Sequence, residues 1–386
     1  MNKPLFFVER VTGVAIYAVT VFVFYVLFVS RRIKNHNLYP LFIVVLSCMA
    51  VLYVPYKTSD LYRIYATLET ISHMKFGVLY SEIITTKSSP LIYIYYWIVS
   101  KTGWFRLLPA VNCCICYSFI FYIVRDMEER YDMSPETVAN AVLFTMLIGN
   151  YIPVIAGIKM MLALSMIIFA FYRELAQHKF NIWNVVIYIF ALFTHNIIIV
   201  ILAIRGLVFL FSSGIKASYK AVIIPFAIAA FLVIVFMFPN VFRRMMDSGT
   251  DYLSGKSQYS DAWEYAVGIM MCIYQLVLIV HTKSLMNADG EHFLVLKQYN
   301  LLLIISLMVE IAMIWNFTLF HRLSVEFGGT VMLPLMMICM EYDYRIPRLT
   351  TKRILSFRSV TLLFSLALFL ITGTRGSLSA LKFFVL

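Results

Sequence analysis

Long apolar runs joined by short charged links fill this chain of 386 residues, and no other property narrows its folding options as much. Residues 11–29, 39–54, 104–124, 157–176, 221–238, 262–280, 299–317 and 323–340 each hold such a run. At a rise of roughly 1.5 Å per residue, runs of this size cross the hydrocarbon core of a bilayer as helices. Inside hydrocarbon every backbone N–H and C=O must be bonded within the protein, which the helix achieves. Composition agrees: 62% of the residues are hydrophobic, 13% are charged and the mean hydropathy is +0.84, too apolar for a surface facing water. The chain therefore reads as all-α, a single polytopic integral membrane domain over residues 1–386. About twelve transmembrane segments are expected, with one or two re-entrant or short helices. The outer loops fall at about 55–90 and 240–261.

The net charge of +12 raises the question of nucleic acid. No nucleic-acid partner is expected, because the basic residues stand in short groups between apolar runs, where they set topology. Arg31, Arg32 and Lys34 follow the first run, and Arg345, Arg348, Lys352, Arg353 and Arg358 precede the last; both groups mark a cytoplasmic side. The first run is too long for a signal-peptide core and lacks an A-x-A site, so it is expected to remain as a helix. Cys113, Cys114 and Cys116 share one apolar run without a nearby histidine or second cysteine pair, a pattern of small lipid- or core-facing residues rather than zinc ligands.

Leu61, Ile64, Tyr65, Leu68 and Ile71 recur at helical spacing and predict an amphipathic helix on the outer interface. Residues 91–100, with Tyr93, Tyr95, Tyr96 and Trp97, are short for a span and read as re-entrant. Ser134, Pro135 and Glu136 offer an N-cap, a proline at the first helical position and an acid in the first turn. The helix they open is expected to run to about Tyr151, with a tight hairpin at Pro153 and Gly157. Asp261 with Glu264 resembles a capping box. Around His195 the chain is either one helix or two short ones meeting at an outer bend. A single helix would put the basic loop 341–358 outside, so charge selects two.

Lys159 is the odd residue. It opens an apolar run, and a lysine in the first turn of a helix opposes the helix dipole. The free N–H groups of that turn and the ammonium together suit an anion such as phosphate. Topology places Asp60, Arg63, Glu82, Arg106, Lys159, His195, Arg243, Arg244, His321 and Arg322 near the same outer face. Each also has a structural reading: Asp60 as a helix cap, Arg243 and Arg244 against lipid headgroups, His321–Arg322 as an interfacial pair, Lys159 and Arg106 snorkelling, His195 in a structural hydrogen bond. There is no Walker A loop, G-x-G-x-x-G, H-E-x-x-H or G-x-S-x-G. A D-x-D pair of the kind that holds a nucleotide-sugar through a metal is also missing, so neither that donor nor a metal or other cofactor is expected.

Four segments resemble the EpsG-like branch of the Wzy polysaccharide polymerases. Ser59–Tyr65 (S-D-L-Y-R-I-Y) is similar to the family's D-x-Y-x-x-Y, and Ile158–Ala163 (I-K-M-M-L-A) to its arginine followed by a small-residue helix. Phe193–Ile199 (F-T-H-N-I-I-I) is similar to its His-x-Ser-Ala stretch, and His321–Phe327 (H-R-L-S-V-E-F) to its late arginine-plus-aromatic segment. Three positions depart: Lys159 stands for arginine, Asn196-Ile197 for the small pair after histidine, and Ser89-Pro90 for Glu-Pro.

The resemblance implies a metal-independent glycosyltransferase acting on undecaprenyl-diphosphate-linked oligosaccharide repeat units in O-antigen, capsule or exopolysaccharide synthesis. It would sit in a bacterial inner membrane with its active site toward the periplasmic or extracellular face, and a chain-length regulator is an implied protein partner. On this reading Lys159 and Arg322 hold the diphosphate with Arg63 or Arg243 assisting, and His195 or Asp60 takes the acceptor proton. A lipid-glycan flippase or other transporter, and an O-antigen ligase, are the alternatives.

Overall fold

The computed structural model describes residues 3–30, 35–57, 59–148, 151–211, 243, 247, 262–286, 293–345, 356–374 and 381–383. Apart from the links between them and a single antiparallel bridge between Tyr53 and Phe383, these residues form helices. Six helices are long and apolar enough to cross a membrane, and a bent pair brings the number to seven, among the described residues. The protein is thus a helical membrane bundle. The expected twelve crossings included several helices that fail this test, and the expected span at 221–238 lies outside the described residues. So do Arg31, Arg32, Lys34, Arg244, Asp261 and the basic residues 348–353 used to assign topology.

Aromatic stacking joins the first three spans. Phe24 of α1 (Lys3–Ser30) lies 4.2 Å from Phe42 of α2 (Asn35–Leu52), which lies 5.6 Å from Phe121 of α6 (Leu107–Tyr131). Between α2 and α6 in sequence come α3 (Asp60–Ser72), the short α4 (Phe76–Leu79), a π-helical turn at Tyr80–Ile84, and α5 (Pro90–Ser100). α3 is the predicted amphipathic helix. Ser59 caps it, accepting from the Tyr62 N–H, and Leu61, Leu68 and Ile71 form its buried face. α5 is a short apolar helix of eleven residues.

The middle of the bundle is α7 (Pro135–Leu147), buried at every position from Thr137 to Leu147. Buried on all sides, α7 sits against α1 and the two last helices, α16 (Leu333–Arg345) and α17 (Phe357–Thr374). Its start follows the expected chemistry: Ser134 Oγ accepts from the Thr137 N–H, with Pro135 at the first helical position. Glu341 adds a longer-range element, its carboxylate accepting from the Ser134 N–H and Oγ at 2.8 Å each. The expected hairpin at Pro153 and Gly157 is instead a six-residue helix, α8 (Tyr151–Ala156), broken from α9 (Ile158–Leu175) at Gly157. Buried tyrosines donate across the bundle to backbone carbonyls, Tyr17 to Met146 at 2.8 Å and Tyr151 to Leu46 at 2.9 Å. Such bonds leave fewer polar groups unsatisfied in a dry interior.

α10 (Ile182–Thr194) and α11 (Ile198–Phe211) are two helices, not one. Glu174, in the last turn of α9, accepts from Tyr188 of α10 at 2.6 Å and pairs with Arg205 of α11. Along a continuous helix Tyr188 and Arg205 would stand roughly 25 Å apart at 1.5 Å per residue, too far to share one carboxylate. The chain therefore folds back at His195, which occupies the tip of a hairpin whose arms both return to the C-terminal end of α9.

α12 (Ala262–Met286) and α13 (Phe293–Ala312) complete an antiparallel pair. The last broken element follows: α14 (Phe317–His321), a π-helical segment Arg322–Phe327, α15 (Gly328–Val331) and α16, with a 49° bend before α16. Gly268 of α12 lets this element approach, since a Cβ there would lie 2.5 Å from the Phe320 ring. Beyond α17, Leu381–Phe383 runs back beside α1 and α2: Val54 N–H donates to the Lys382 carbonyl at 2.9 Å, and Gly13 faces the Leu381 carbonyl.

Candidate functional site

Three interruptions of helix converge. The break at Gly157 places Lys159 in the first turn of α9; the hairpin tip carries His195; the π segment opens on Arg322. The positive charges of both Arg322 and Lys159 act on the His195 imidazole, which puts the three side chains in one neighbourhood. α9 is the common support, packing on α10 and on the π segment, where Phe171 meets Phe327 edge to face at 6.3 Å. Lys159 is exposed and makes no ion pair among the described residues. Arg322 and Asn196 are half-buried, and His195 is buried.

Local bonding fixes the tip. Ile197 N–H donates to His195 Nδ1 at 3.2 Å, and Ser89 Oγ, just before α5, donates to Asn196 Oδ1 at 3.4 Å. The short α5 is thereby tied to the hairpin, and the same helix packs against α3. Aromatic residues gather between them. Tyr65 and Tyr96 each bury a hydroxyl without a hydrogen-bond partner. Burial pushes the Tyr65 phenol up to about 12, against the pull of the Arg106 guanidinium, so it stays a neutral donor at physiological pH.

Asp60 and Arg63 pair with each other on α3, with side chains 58% and 71% exposed. The charge of Asp60 reaches Tyr96, but the structure does not join this pair to His195. Glu82 is exposed in the first π turn. Arg243 is exposed, and its chain neighbours lie outside the described residues. His321 immediately precedes Arg322 and is half-buried. Of the six expected site residues, Lys159, His195 and Arg322 are brought together.

Two acids escaped the reading of the sequence. Glu326 is 5% exposed, and its Oε2 is buried with no hydrogen-bond partner. The charges of Arg322, four positions earlier in the same π segment, and of Glu264 of α12 act on it. Glu310 of α13 is fully buried, accepting from Ser306 Oγ at 2.7 Å and from Cys272 Sγ at 3.5 Å. An ionisable residue inside an apolar helix is a functional signal on its own, and that signal could have singled out both. Among the described residues, no three His, Cys, Asp or Glu side chains are grouped to share a metal ion.

The opposite end of the bundle has a different chemistry. There Glu128 accepts from Tyr39 at 2.7 Å and bonds Asn35, Asp126 pairs with Arg130 at 2.9 Å and bonds Tyr172, and Asp343 accepts from the Phe357 N–H. Its carboxylates bond side chains and helix starts, while the cations at the other end stand around a histidine.

Fold and site together define a polytopic helical membrane protein with a cationic cluster built on broken helices. No protein-family model, curated protein or solved structure matches the chain.

Proposed function

We propose that this protein polymerises lipid-linked oligosaccharide repeat units, moving a growing glycan from undecaprenyl diphosphate to the sugar end of the next lipid-linked unit. The placement proposed is the outer face of a bacterial inner membrane, and the class is a metal-independent glycosyltransferase. One observation carries the reading: the helix breaks at Gly157, His195 and Arg322 bring the charges of Lys159 and Arg322 within electrostatic reach of the His195 imidazole. Breaking a sugar–diphosphate bond builds negative charge on the leaving diphosphate. Fixed cations in a low-dielectric site stabilise that charge, each worth roughly a hundred- to a thousand-fold in rate. A cationic cluster with an exposed lysine can be reached by a headgroup, as a lipid-borne substrate requires.

The test is the purified protein given synthetic undecaprenyl-diphosphate-linked repeat units and no other enzyme. Lengthening of the glycan is expected; an unchanged substrate would end the proposal. Glu310, buried within a membrane-capable helix, is the observation that favours a transporter instead. A gel of surface glycans separates the readings. Cells lacking a polymerase display a single repeat unit, whereas cells lacking a flippase or a ligase display none.

A further inference from the structure

We propose that Glu310, Gln275 and the Leu323 carbonyl form a site for a sodium ion inside the bundle, beside Gly328. The site uses none of the side chains of the cationic cluster and does not rest on the polymerase reading.

Gly328 marks the place. It follows the π-helical segment of the broken element. A Cβ built on it would stand 3.1 Å from the Leu323 carbonyl oxygen and 3.5 Å from each of Gln275 Oε1 and Glu310 Oε1. Three oxygens, from α12, α13 and the π segment, therefore surround one point that glycine leaves open. Gln275 and Glu310 are both fully buried.

These groups are not satisfied by the chain itself. Gln275 Nε2 donates to the Leu303 carbonyl at 3.0 Å, which fixes the amide with its oxygen turned toward Gly328. That oxygen is buried and has no hydrogen-bond partner, a condition that calls for a donor or a cation. Glu310 Oε1 accepts from Ser306 Oγ at 2.7 Å, and its Oε2 accepts from Cys272 Sγ at 3.5 Å. No lysine, arginine or histidine pairs with this carboxylate among the described residues. Burying a charge without a counter-ion is costly, so the positive charge has to come from a ligand.

The oxygens select the ligand. A carboxylate, an amide oxygen and a backbone carbonyl are hard ligands, and one negative charge is balanced by a monovalent ion. A proton binds one oxygen and is shared with one other along a line, whereas three oxygens around a point begin a coordination shell. The third comes from an interruption of helix, where backbone carbonyls are available to hold sodium at membrane depth. The Leu323 carbonyl accepts from the Gly328 N–H and keeps a second lone pair. Occupancy ties α12 and α13 to the residue that follows Arg322, and so steadies the segment from which that arginine projects.

The test is thermal unfolding of the full purified chain in detergent, in sodium chloride or in choline chloride at equal concentration and pH. Sodium should raise the unfolding temperature saturably, by about 2–4 °C once it is well above its Kd. Glu310→Gln keeps the shape and removes the charge, and Gly328→Ala fills the point with a methyl group; each should lose the sodium shift. Equal unfolding temperatures in the two salts would overturn the site. So would a temperature that moves with pH and not with sodium, since Glu310 then holds a proton. A sodium shift kept in both variants would place the ion elsewhere and overturn it too. Should neither variant fold, Glu310→Asp, which withdraws the carboxylate by one methylene, should need at least about tenfold more sodium for the same shift. An unchanged requirement in that variant would overturn the site. A wild type that lengthens no glycan leaves it standing, because the shift is read without substrate.

Discussion

Lys159 occupies the first turn of α9, where the dipole opposes a positive charge and no acid among the described residues pairs with it. Lysine there opposes the helix dipole, and an anion at that turn would offset the cost. Lys159→Met is expected to lower glycan transfer about 10²–10³-fold while the protein accumulates in membranes at its usual level, measured by immunoblot beside the product ladder. Lys159→Arg should preserve transfer, because a guanidinium grips phosphate oxygens as a fork. These two residues, Lys159 and His195, were legible in the sequence because each is out of place by a simple rule: a cation at a helix start, a polar triplet in an apolar run. Glu326 was passed over, although an acid in an apolar run four positions after Arg322 is a readable signal.

Short helices carry the histidine of the site and the segment tied to it. α5, α10 and α11 have eleven, thirteen and fourteen residues, and the hairpin of the last two is held by one carboxylate at its far end. The side chains of Glu174 and Arg205 are only 16% and 14% exposed, so breaking the pair leaves a charge in a dry place. Glu174→Gln or Arg205→Met should each cost about 2–3 kcal/mol of stability, and the double variant should cost less than the sum, read from thermal unfolding in detergent. Both single variants should also lower transfer, since the arms set the depth of His195. The break at His195 could be argued from charge balance alone, and α3 from its periodicity, although the cap is Ser59 and not the expected Asp60. α8 could not. Proline and glycine close together signal a turn, and a six-residue helix ended by Gly157 satisfies the same signal.

At the end of the molecule away from Lys159, carboxylates bond side chains, arginines and helix starts. That network was only half visible beforehand, because Glu341, which caps α7 from more than two hundred positions away, gives no local sign. The number of crossings was the weakest expectation, since length and hydropathy cannot tell a buried thirteen-residue helix such as α7 from a span. The short segment Leu381–Phe383 supplies what counting does not. It lies beside Gly13, near the opening of α1, and beside Tyr53, just past the close of α2. Residues 13 and 381 lie together where the α1 span begins, which places the last described segment at the end of the bundle from which α1 sets out. An alkaline phosphatase reporter joined to the C-terminus and an epitope tag on the N-terminus should report the same compartment. That compartment should also be the one from which a membrane-impermeant amine reagent reaches Lys159.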